Sequence, residues 1–349
     1  MIRILVIRFR QMGDAILATP MLNTLRKNFP DADITFVLNE RIAPLFDGHP
    51  AISRTITFSD DERHSFLTYL KKVWHVVHDT RYDVIIDMRS TINTLPFTLF
   101  SLRSKYRIGI RKPYTYGIMN HRFEGCESHE SMICHNLRLT EPLRGMIDSG
   151  TWKEDRNLTL SITEKEKQDF YLYMQQQGID FNRPIMLVGV TAKLPDKTWP
   201  EERMTETLRR FVNTFPQWQL IFNYAPGREA DNARRIYDTL QLPSHIFLNI
   251  AAKSPRQLAA LAANCTAYFG NEGGARHIVH AMGRPSLVIC SPNASKTTWL
   301  PQDTDILAQG IAASDITDVT GLTREAQYNS ITVDVVWKRL QAFCQQLSI

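Results

Sequence analysis

The chain has 349 residues, 43% hydrophobic and 22% charged, a composition typical of soluble globular proteins. Its formal net charge of +5 is small and spread along the chain, so it permits anionic ligands or an anionic membrane surface without indicating nucleic-acid binding. No run reaches the ~18 apolar residues of a membrane span and no signal-peptide pattern precedes the first predicted strand, so we expect a cytoplasmic location.

In the first half of the chain, short apolar runs alternate with stretches of helical periodicity. We predict strands at 2–7, 34–38, 54–58 and 84–87 and helices at 15–28, 41–47 and 62–79. This alternation is typical of βαβ units around a parallel sheet. We then predict an irregular segment over 105–125, a helix over 130–146 and a connection over 147–160.

The second half shows the same alternation. Thr163 and Glu166 have the spacing of a capping box, which predicts a helix over 161–177. Strands are predicted at 185–188, 219–223, 246–248, 266–269 and 286–290, and helices at 201–214, 228–241, 255–263, 275–282 and about 332–347. The simplest fold is α/β, with two doubly wound domains over 1–160 and 161–331 followed by a C-terminal helix within 332–349.

Met12-Gly13-Asp14 follows the first predicted strand directly. Gly13 would let the backbone turn tightly, and Asp14 would then lie at or near a helix N-terminus. The space beyond a strand's carboxyl end is where ligands bind in open α/β sheets. Taken alone, the motif favours the simpler interpretation that Asp14 caps the helix.

A glycine-rich segment, Phe269 to His277, follows the strand at 266–269 and opens a helix. Gly273 and Gly274 allow close backbone approach, and a helix start offers unpaired N–H groups and a positive dipole end. These are the elements of a phosphate site. We expect His277, in the first turn, to face the same anion; the alternative is a buried histidine with its own partners.

Two further loops follow strands of the second half. In 190–200, Lys197 would be a mobile charge suited to a diphosphate and Thr191 would offer a hydroxyl, although a lone Lys is usually solvated. After the strand at 219–223, Glu229 would accept two hydrogen bonds from a ribose diol. A helix-start carboxylate is nearly as good an interpretation of Glu229.

Metal and cofactor motifs are weak or missing. Neither a dinucleotide fingerprint nor a P-loop is present. The pairs Asp31/Asp33 and Asp303/Asp305 read as turns after prolines rather than metal ligands. Four zinc-type ligands fit no common module in spacing: Cys126, His129, Cys134 and His135. We therefore predict no metal and no cofactor.

The motifs together resemble those of the ADP-heptose:lipopolysaccharide heptosyltransferases, glycosyltransferase family 9. Residues 8–20, reading RFRQMGDAILATP, resemble the opening segment of that family. Residues 197–200 (KTWP) resemble its K-x-W-P segment, and the block from Gly270 to Pro285 resembles its G-N-D-[ST]-G-x-x-H block. The three motifs occur in the family's order and nearly span the chain.

This resemblance implies a GT-B fold, with two Rossmann-like domains facing across a cleft and the C-terminal helix crossing back to the first domain. It implies an inverting, metal-independent transfer of a sugar from a nucleotide diphosphate sugar, ADP-heptose being favoured, to a lipopolysaccharide inner core or another glycolipid. Asp14 takes the place of the catalytic base and Lys197 stabilises the leaving diphosphate. The donor-binding positions are Gly13, Thr191, Glu229, Glu272, Gly273, Gly274 and His277.

On the acceptor side, Arg107 and Arg111 flank a strand-like Ile-Gly-Ile in the first domain. They would meet acceptor phosphates or carboxylates, or else form a solvated basic loop. Two positions depart from the family, since Glu272 stands where Asp is usual and Gly273 where Ser or Thr is usual. Both lie in the donor loop. The alternatives are therefore a GT-B glycosyltransferase that uses another nucleotide sugar on a different glycolipid or polysaccharide, or a sugar-nucleotide-binding protein without turnover. We expect no nucleic-acid partner and allow peripheral contact with the inner membrane.

Overall fold

A computed structural model describes residues 1–347 apart from Ser128, Ser149, Asn293 and Gln302. Ser149, within the predicted connection, and Ser348 and Ile349, at the end of the predicted C-terminal segment, lie outside the described residues. The chain divides into two units, Met1–Ser161 and Ile162–Ile349. Within the described ranges, no helix combines the length and the apolar character needed to cross a bilayer.

The first unit is built on a parallel sheet with the strand order β3-β2-β1-β4-β5-β6. Its strands are β1 (Arg3–Ile7), β2 (Asp33–Asn39), β3 (Arg54–Phe58), β4 (Val84–Asp87), β5 (Tyr106–Ile110) and β6 (His121–Phe123). Its helices are α1 (Met12–Ile16), α2 (Thr19–Asn28), α3 (Asp60–His64), α4 (Phe66–His78), α5 (Leu95–Leu99) and α6 (Met132–Arg138). Short 3-10 helices occupy Glu40–Phe46, Pro113–Thr115 and Glu141–Met146.

The second unit repeats this plan around a parallel sheet. Its strands are β7 (Ile185–Gly189), β8 (Gln219–Phe222), β9 (Ile246–Phe247), β10 (Ala267–Asn271), β11 (Ser286–Ile289) and β12 (Ala308–Ile311). Its helices are α7 (Glu164–Gln176), α8 (Glu201–Thr214), α9 (Arg228–Leu240), α10 (Pro255–Ala263), α11 (Gly274–Ala281), α12 (Lys296–Trp299), α13 (Arg324–Ser330) and α14 (Val333–Gln346). Pro195–Lys197 and Ala313–Asp315 are 3-10 turns.

The strand order of the second sheet is β12-β11-β10-β7-β8-β9, which has the same topology as the first sheet. In each sheet the order reverses between the first and fourth strands of the unit, that is, between β1 and β4 and between β7 and β10. Ligands of doubly wound sheets bind beyond the carboxyl ends of the strands at such switch points. The predicted α/β class with doubly wound sheets is confirmed, and the topology selects two sheet edges for the search for a site.

The helix predicted over 15–28 is interrupted. It forms α1 and α2, with Pro20 at the start of α2. Proline suits the first turn of a helix but not its interior, because its nitrogen has no hydrogen to donate. Gly13 lies within α1 and its φ is not positive, so the tight turn expected at this glycine is wrong.

The prediction of an irregular segment over 105–125 is wrong, because β5 and β6 lie within it and extend the sheet. Gly109 interrupts the apolar pattern in the middle of β5. A Cβ at this position would approach the Ser90 Oγ to 2.4 Å and the Met119 Sδ to 2.6 Å, so the close packing beneath the strand requires glycine. Because glycine stands where the strand pattern would have an apolar residue, the sequence around Gly109 did not indicate a strand.

The C-terminal helix α14 contacts α8, and its buried residues Val336, Leu340 and Phe343 belong to the core of the second unit. The apolar spacing that predicted this helix is thus accounted for by packing within the second unit. Its crossing to the first domain stays a prediction. The capping box that predicted α7 is confirmed, with the Thr163 hydroxyl accepting from the Glu166 N–H.

A buried histidine makes the stability of the first unit depend on pH. His49 Nε2 lies 2.9 Å from the Thr159 Oγ1, and Nδ1 accepts the Ala51 N–H at 3.2 Å, so the ring is neutral. Burial lowers the pKa of His49 to about 4, from the usual value near 6.5. Between pH 6.5 and about 4, the unfolded chain binds a proton at His49 and the folded chain does not. The contribution of His49 to stability is therefore lost as the pH falls from 6.5 towards 4.

We therefore expect the unfolding free energy to fall on acidification, with His49 contributing up to about 1.4 kcal/mol per pH unit. His49→Gln is expected to reduce this slope relative to wild type. Urea unfolding at several pH values between 7 and 4.5 measures the slopes. Equal slopes for wild type and His49→Gln would contradict this assignment.

Candidate active site

At the switch point of the first sheet, Asp14 lies in α1 with only 8% of its surface exposed. Its Oδ1 is 3.0 Å from the Arg8 Nη2 and 3.5 Å from the Arg10 Nη1. Gln11, not Asp14, is the N-cap of α1, so the interpretation of Asp14 as a cap is wrong. Among the described residues Oδ2 has no partner, which leaves one carboxylate oxygen to meet a ligand.

Two arginines surround this carboxylate, and one of them is buried. Burial lowers the pKa of Arg8 to about 10, with Asp14 opposing the shift, so the guanidinium stays charged at neutral pH. Asp87, at the end of β4, is fully buried and accepts the N–H groups of Arg89 and Ser90. Burial also raises the pKa of Asp87, whose two backbone contacts support the loop after β4. Of the two carboxylates, Asp14 and Asp87, only Asp14 has exposed surface.

The two arginines proposed for the acceptor differ in their surroundings. Arg107 lies early in β5, and its guanidinium donates to the carbonyl oxygens of Ile118, Leu102 and Ser104 at 2.6–2.9 Å. It ties the segment before β5 to the loop between β5 and β6. Arg111 follows the carboxyl end of β5, is exposed, and pairs with Glu124 at 2.9 Å. Only Arg111 therefore lies at the edge of the sheet where a ligand is expected.

At the switch point of the second sheet, polar side chains follow the strands β7, β10 and β11. Glu272 comes directly after β10, and its Oε1 is 3.0 Å from the Lys197 Nζ. The same oxygen accepts the Ser291 hydroxyl at 3.0 Å. The structure thus holds Lys197 in an ion pair, whereas the sequence suggested a mobile lysine or a solvated loop.

Asn271 explains how the lysine segment and the glycine-rich segment come together. Its side-chain amide donates to the Gly189 carbonyl at 3.0 Å and its Oδ1 accepts the Trp199 N–H at 2.7 Å. Trp199 is fully buried and its indole donates to the Ile331 carbonyl at 3.0 Å. The Trp of the K-x-W-P segment is thus the anchor that fixes the position of Lys197.

The close approach of β7 and β10 depends on glycine. Gly270 has a φ of +138°, and a Cβ there would lie 2.4 Å from the Gly189 carbonyl oxygen. A Cβ at Gly189 would lie 2.0 Å from the Tyr268 hydroxyl. These contacts bring Thr191, after β7, beside the loop after β10. Thr191 is buried, and its Oγ1 has no hydrogen-bond partner among the described residues.

The glycine-rich loop forms an open cradle. Gly273 is the N-cap of α11, and no side chain of the described residues caps this helix. A Cβ on Gly273 would meet nothing within 4 Å. The unpaired N–H groups of the first turn and the positive end of the helix dipole suit an anion at this position.

His277 is buried, and burial lowers its pKa well below the usual value, with Arg276 and His280 adding to the effect. Its Nε2 is 3.1 Å from the Arg276 Nη2. A guanidinium can only donate, so Nε2 accepts and the ring proton lies on Nδ1, which is buried and without a partner among the described residues. His277 would therefore serve an anion as a neutral donor and not as a cation.

Sequence reasoning missed Arg276. It is 2% exposed, donates to the Trp299 carbonyl at 2.8 Å, and has Nε and Nη1 without partners among the described residues. Burial lowers its pKa to about 10, which still leaves a cation beneath the glycine-rich loop at neutral pH. The available signal was an arginine in the first turn of the predicted helix.

Glu229 lies in the first turn of α9, and its Oε2 accepts the Ala225 N–H at 3.3 Å. This contact fits a helix-start carboxylate, and its role towards a ribose stays a prediction. A separate pocket of about 430 Å³ in this unit contains none of the predicted site residues. It is lined by Glu166, Asp169, Phe170, Tyr173, Ala251, Lys253, Ser254, Arg256, Gln257 and Ala260.

The four zinc-type ligands do not come together. His129 is exposed beside Glu127, and the Cys134 Sγ accepts from Arg156. Cys126, Glu130 and His135 do bring their ligand atoms within 4.8 Å. However, the Arg138 Nη2 lies 3.3 Å from the Glu130 Oε2 and 3.1 Å from the His135 Nδ1, so a guanidinium already serves this cluster.

The two Asp-x-Asp pairs differ in local backbone structure. Asp33 begins β2 and lies 3.6 Å from the Arg54 Nη2. Asp303 has a φ of +58°, a backbone conformation typical of Asp in turns. Neither pair is among the groups of closely spaced metal-type ligands in the described part of the chain.

Comparisons with known proteins agree with these motifs. The model of the family described as glycosyltransferase family 9 (heptosyltransferase) matches residues 70–310. Lipopolysaccharide heptosyltransferase 3 of Escherichia coli K12 is 30% identical over 317 residues, 85% of this chain and 85% of that protein. This match and the family model each include most of the chain.

Solved structures share the fold. A family 9 glycosyl transferase from Veillonella parvula superposes with a TM-score of 0.82 and 17% identity, covering 99% of this chain and 97% of the other. The ADP-heptose lipopolysaccharide heptosyltransferase II of E. coli gives a TM-score of 0.75 and 21% identity, with 100% of both chains covered. The range that the family model matches includes Lys197 and the glycine-rich loop, and the chain belongs to glycosyltransferase family 9.

Proposed function

We propose that this glycosyltransferase transfers a heptose from ADP-heptose to a lipopolysaccharide core acceptor, with inversion and without a metal. The observation that carries the proposal is the convergence of Lys197, Glu272, Thr191 and the glycine-rich loop at the switch point of the second sheet. Family membership and the activities named for the relatives support heptose as the sugar and lipopolysaccharide as the acceptor.

The donor diphosphate would bind at the N-terminus of α11. The free N–H groups at Gly273 and Gly274, the Thr191 hydroxyl and Nδ1–H of His277 would donate to its oxygens. Lys197 would supply the compact positive charge. Arg276 is buried and adds a fixed positive potential that would attract an anionic ligand without direct contact. Glu229 would accept from the ribose hydroxyls.

Asp14 would act as the general base. Its Oδ2 takes the proton of the acceptor hydroxyl as that oxygen forms a bond to the anomeric carbon of the donor. The bond from that carbon to the diphosphate breaks, and the nucleoside diphosphate leaves with the electron pair. Attack from the face opposite the leaving group inverts the anomeric centre. Arg8 and Arg10 hold the Asp14 carboxylate in place, and Arg111 would meet acceptor anions.

Leaving-group stabilisation comes from donors that are already fixed in place. Charge builds up on the departing diphosphate, and preorganised donors aimed at such charge are usually the largest single contribution to catalysis. Lys197 and the α11 N-terminus lie at one edge of the sheet and would act in this way. They would take the role that a divalent ion has in other transferases.

We accordingly expect turnover to survive EDTA, because the proposed leaving-group contacts are all side chains or backbone N–H groups of this chain. The measurement is the initial rate of diphosphate release before and after chelation and after addition of Mg²⁺ or Mn²⁺. Loss of turnover in the chelator, restored by either ion, would show that a metal carries the leaving group.

Glu272 favours one alternative, a different donor sugar, since this carboxylate is one methylene longer than the family's usual Asp. A thermal-shift panel of nucleotide diphosphate sugars distinguishes ADP-heptose from another donor sugar. A ligand present at 100 times its Kd stabilises the folded protein by about 2.7 kcal/mol. We expect ADP-heptose to give the largest shift; a larger shift with another nucleotide sugar would overturn the choice of donor. Binding without turnover on any acceptor would instead indicate a sugar-nucleotide-binding protein.

A further inference from the structure

The first unit exposes large apolar side chains in more than one place, and one group of them lies near the carboxyl ends of its strands. We call this the apolar edge, and define it by the start of α4, the loop after β4 and the 3-10 turn after β5. Its members and their exposed fractions are Phe66 (70%), Leu67 (77%), Ile92 (70%), Tyr114 (39%) and Tyr116 (77%). Scattered apolar side chains are normal on a protein surface, whereas a contiguous group marks an interaction site.

Hydrogen bonds show that these segments are neighbours. The Tyr69 hydroxyl, one turn after Phe66, donates to the Asn93 carbonyl next to Ile92. The Tyr114 hydroxyl donates to the Ser90 carbonyl at 2.9 Å, which brings the turn after β5 to the same loop. The apolar edge is therefore one surface that lies at the carboxyl ends of β4 and β5.

Basic residues, without acidic ones, stand in the segments after β4 and β5 that carry most of the apolar edge. From 88 to 123 there is no Asp or Glu, and Arg89 follows β4 while Arg111 and Lys112 follow β5. α4 likewise contains lysines and no acidic residue. The Arg122 guanidinium lies 5.0 Å from the centre of the Tyr116 ring, so basic and aromatic groups are interleaved.

Nearby acidic groups offset part of this charge, since Glu62 is paired with Lys72 and Glu124 with Arg111, while Asp60 is paired with Arg41. Asp61, in the first turn of α3, is an exposed acidic side chain at the border of the surface. The apolar edge is thus an exposed aromatic and aliphatic surface beside Lys112 and Arg122, two cations that have no acidic partner among the described residues.

We propose that the apolar edge docks the first unit on an anionic phospholipid bilayer. The inference rests on the proposed function, since a lipid-linked acceptor would bring the protein to a membrane. Phe66, Leu67 and Ile92 would enter the boundary between headgroups and acyl chains. Tyr114 and Tyr116 suit the interface because their rings are apolar and their hydroxyls polar. Lys112 and Arg122 would meet the anionic headgroups.

This placement connects docking with the site. Asp14 follows β1, and the apolar edge follows β4 and β5, so both lie at the carboxyl edge of the same sheet. An acceptor anchored in the bilayer would carry its sugar above the headgroups, towards that edge. Docking would therefore raise the local concentration of acceptor near Asp14 without any new contact to the reacting atoms.

The test is flotation of the full chain with vesicles, with no donor or acceptor present. The vesicles contain phosphatidylethanolamine with phosphatidylglycerol, or phosphatidylcholine alone. We expect wild type to float with the anionic vesicles and not with the neutral ones, and 1 M salt to release a large part of it, because salt screens charges at the surface. Absence of flotation with anionic vesicles would overturn the proposal.

Matched variants locate the surface. Phe66→Ser/Ile92→Ser is expected to weaken partitioning by about tenfold or more, as is Lys112→Glu/Arg122→Glu. The controls lie in the second unit: Leu172→Ser/Leu322→Ser for exposed apolar side chains, and Lys338→Glu/Arg339→Glu for exposed charges. These controls should float like wild type. Wild-type flotation by both test variants, or loss by the controls, would contradict the assignment.

Turnover on a delipidated acceptor separates docking from the proposed function. Both test variants are expected to keep wild-type turnover on that acceptor, because their side chains are not placed in the catalytic machinery. Loss of turnover on it would show that the surface binds the acceptor saccharide and not a bilayer. Wild type that floats but transfers no sugar would contradict the function alone, and wild type that transfers but does not float would contradict the docking alone.

Discussion

Replacing Asp14 with Asn is expected to lower kcat by about 10²- to 10⁴-fold and to leave donor affinity close to that of wild type. Asn has the same shape, and its side-chain oxygen still accepts from Arg8, but it cannot take a proton. Apart from Gly13, the proposed donor contacts lie in the second unit, so nucleotide binding should respond little. The measurements are kcat at saturating substrates and the calorimetric Kd for ADP.

The ion pair with Arg8 makes a stability control necessary. Arg8 is buried, and removing its counter-charge leaves an uncompensated cation, a change that costs about 3–5 kcal/mol where a buried pair is broken. Urea unfolding of Asp14→Asn gives the actual loss. Arg10→Ala removes the more exposed partner and should keep most of the turnover. If Asp14→Asn is less stable but turns over at nearly the wild-type rate, Asp14 supports Arg8 and the base lies elsewhere.

Lys197→Ala is expected to weaken donor binding and catalysis together. A charge-assisted hydrogen bond of about 1.5–3 kcal/mol sets the ground-state loss at roughly 10- to 150-fold in Kd. The loss in turnover should be larger, because charge builds up on the departing oxygen in the transition state. Lys197→Arg is expected to recover only part, since a planar fork does not replace a compact ammonium.

The ion pair with Glu272 sharpens this prediction. Without Lys197 the Glu272 carboxylate has no cation at 3.0 Å and repels the diphosphate, which places the loss in Kd towards the upper end of the range. The double variant Lys197→Ala/Glu272→Gln should therefore bind ADP more tightly than Lys197→Ala. Additive effects in this double-mutant cycle would show that the pair is not coupled to donor binding.

Glu229→Gln provides the control in the same unit. It is expected to weaken nucleotide binding through the ribose and to leave kcat closer to normal. Unchanged Kd and kcat in Lys197→Ala would instead make the K-x-W-P segment a solvated loop that the buried Trp199 anchors for structural reasons alone.

The sequence predicted the two sheets because their apolar runs are short, regular and separated by helical periods. It also placed Asp14, Thr191, Glu229 and Glu272 after strands, and parallel strands end at one edge of their sheet. It missed β5 because Gly109 removes an apolar residue from the middle of that strand. It missed β12 because the residues of that strand, Ala-Gln-Gly-Ile, do not form the apolar run that predicts a strand.

The contacts within the site could not be predicted in the same way. That Glu272 pairs with Lys197, 75 residues away, depends on the Asn271 bridge to Trp199 and on the close packing of Gly189 and Gly270. The unpartnered nitrogens of Arg276 and the tautomer of His277 follow from burial and from one 3.1 Å contact. Such features come from tertiary packing, which no local spacing encodes.

The most direct test of the account is the mass of the acceptor after incubation with ADP-heptose and the wild-type protein in EDTA. A truncated lipopolysaccharide core is the acceptor, and Asp14→Asn at equal concentration is the control. We predict an increase by one heptose residue with wild type, formation of ADP in equal amount, and little or no product with Asp14→Asn in the same time. An acceptor of unchanged mass, under conditions in which the protein binds ADP-heptose, would contradict the proposed transfer.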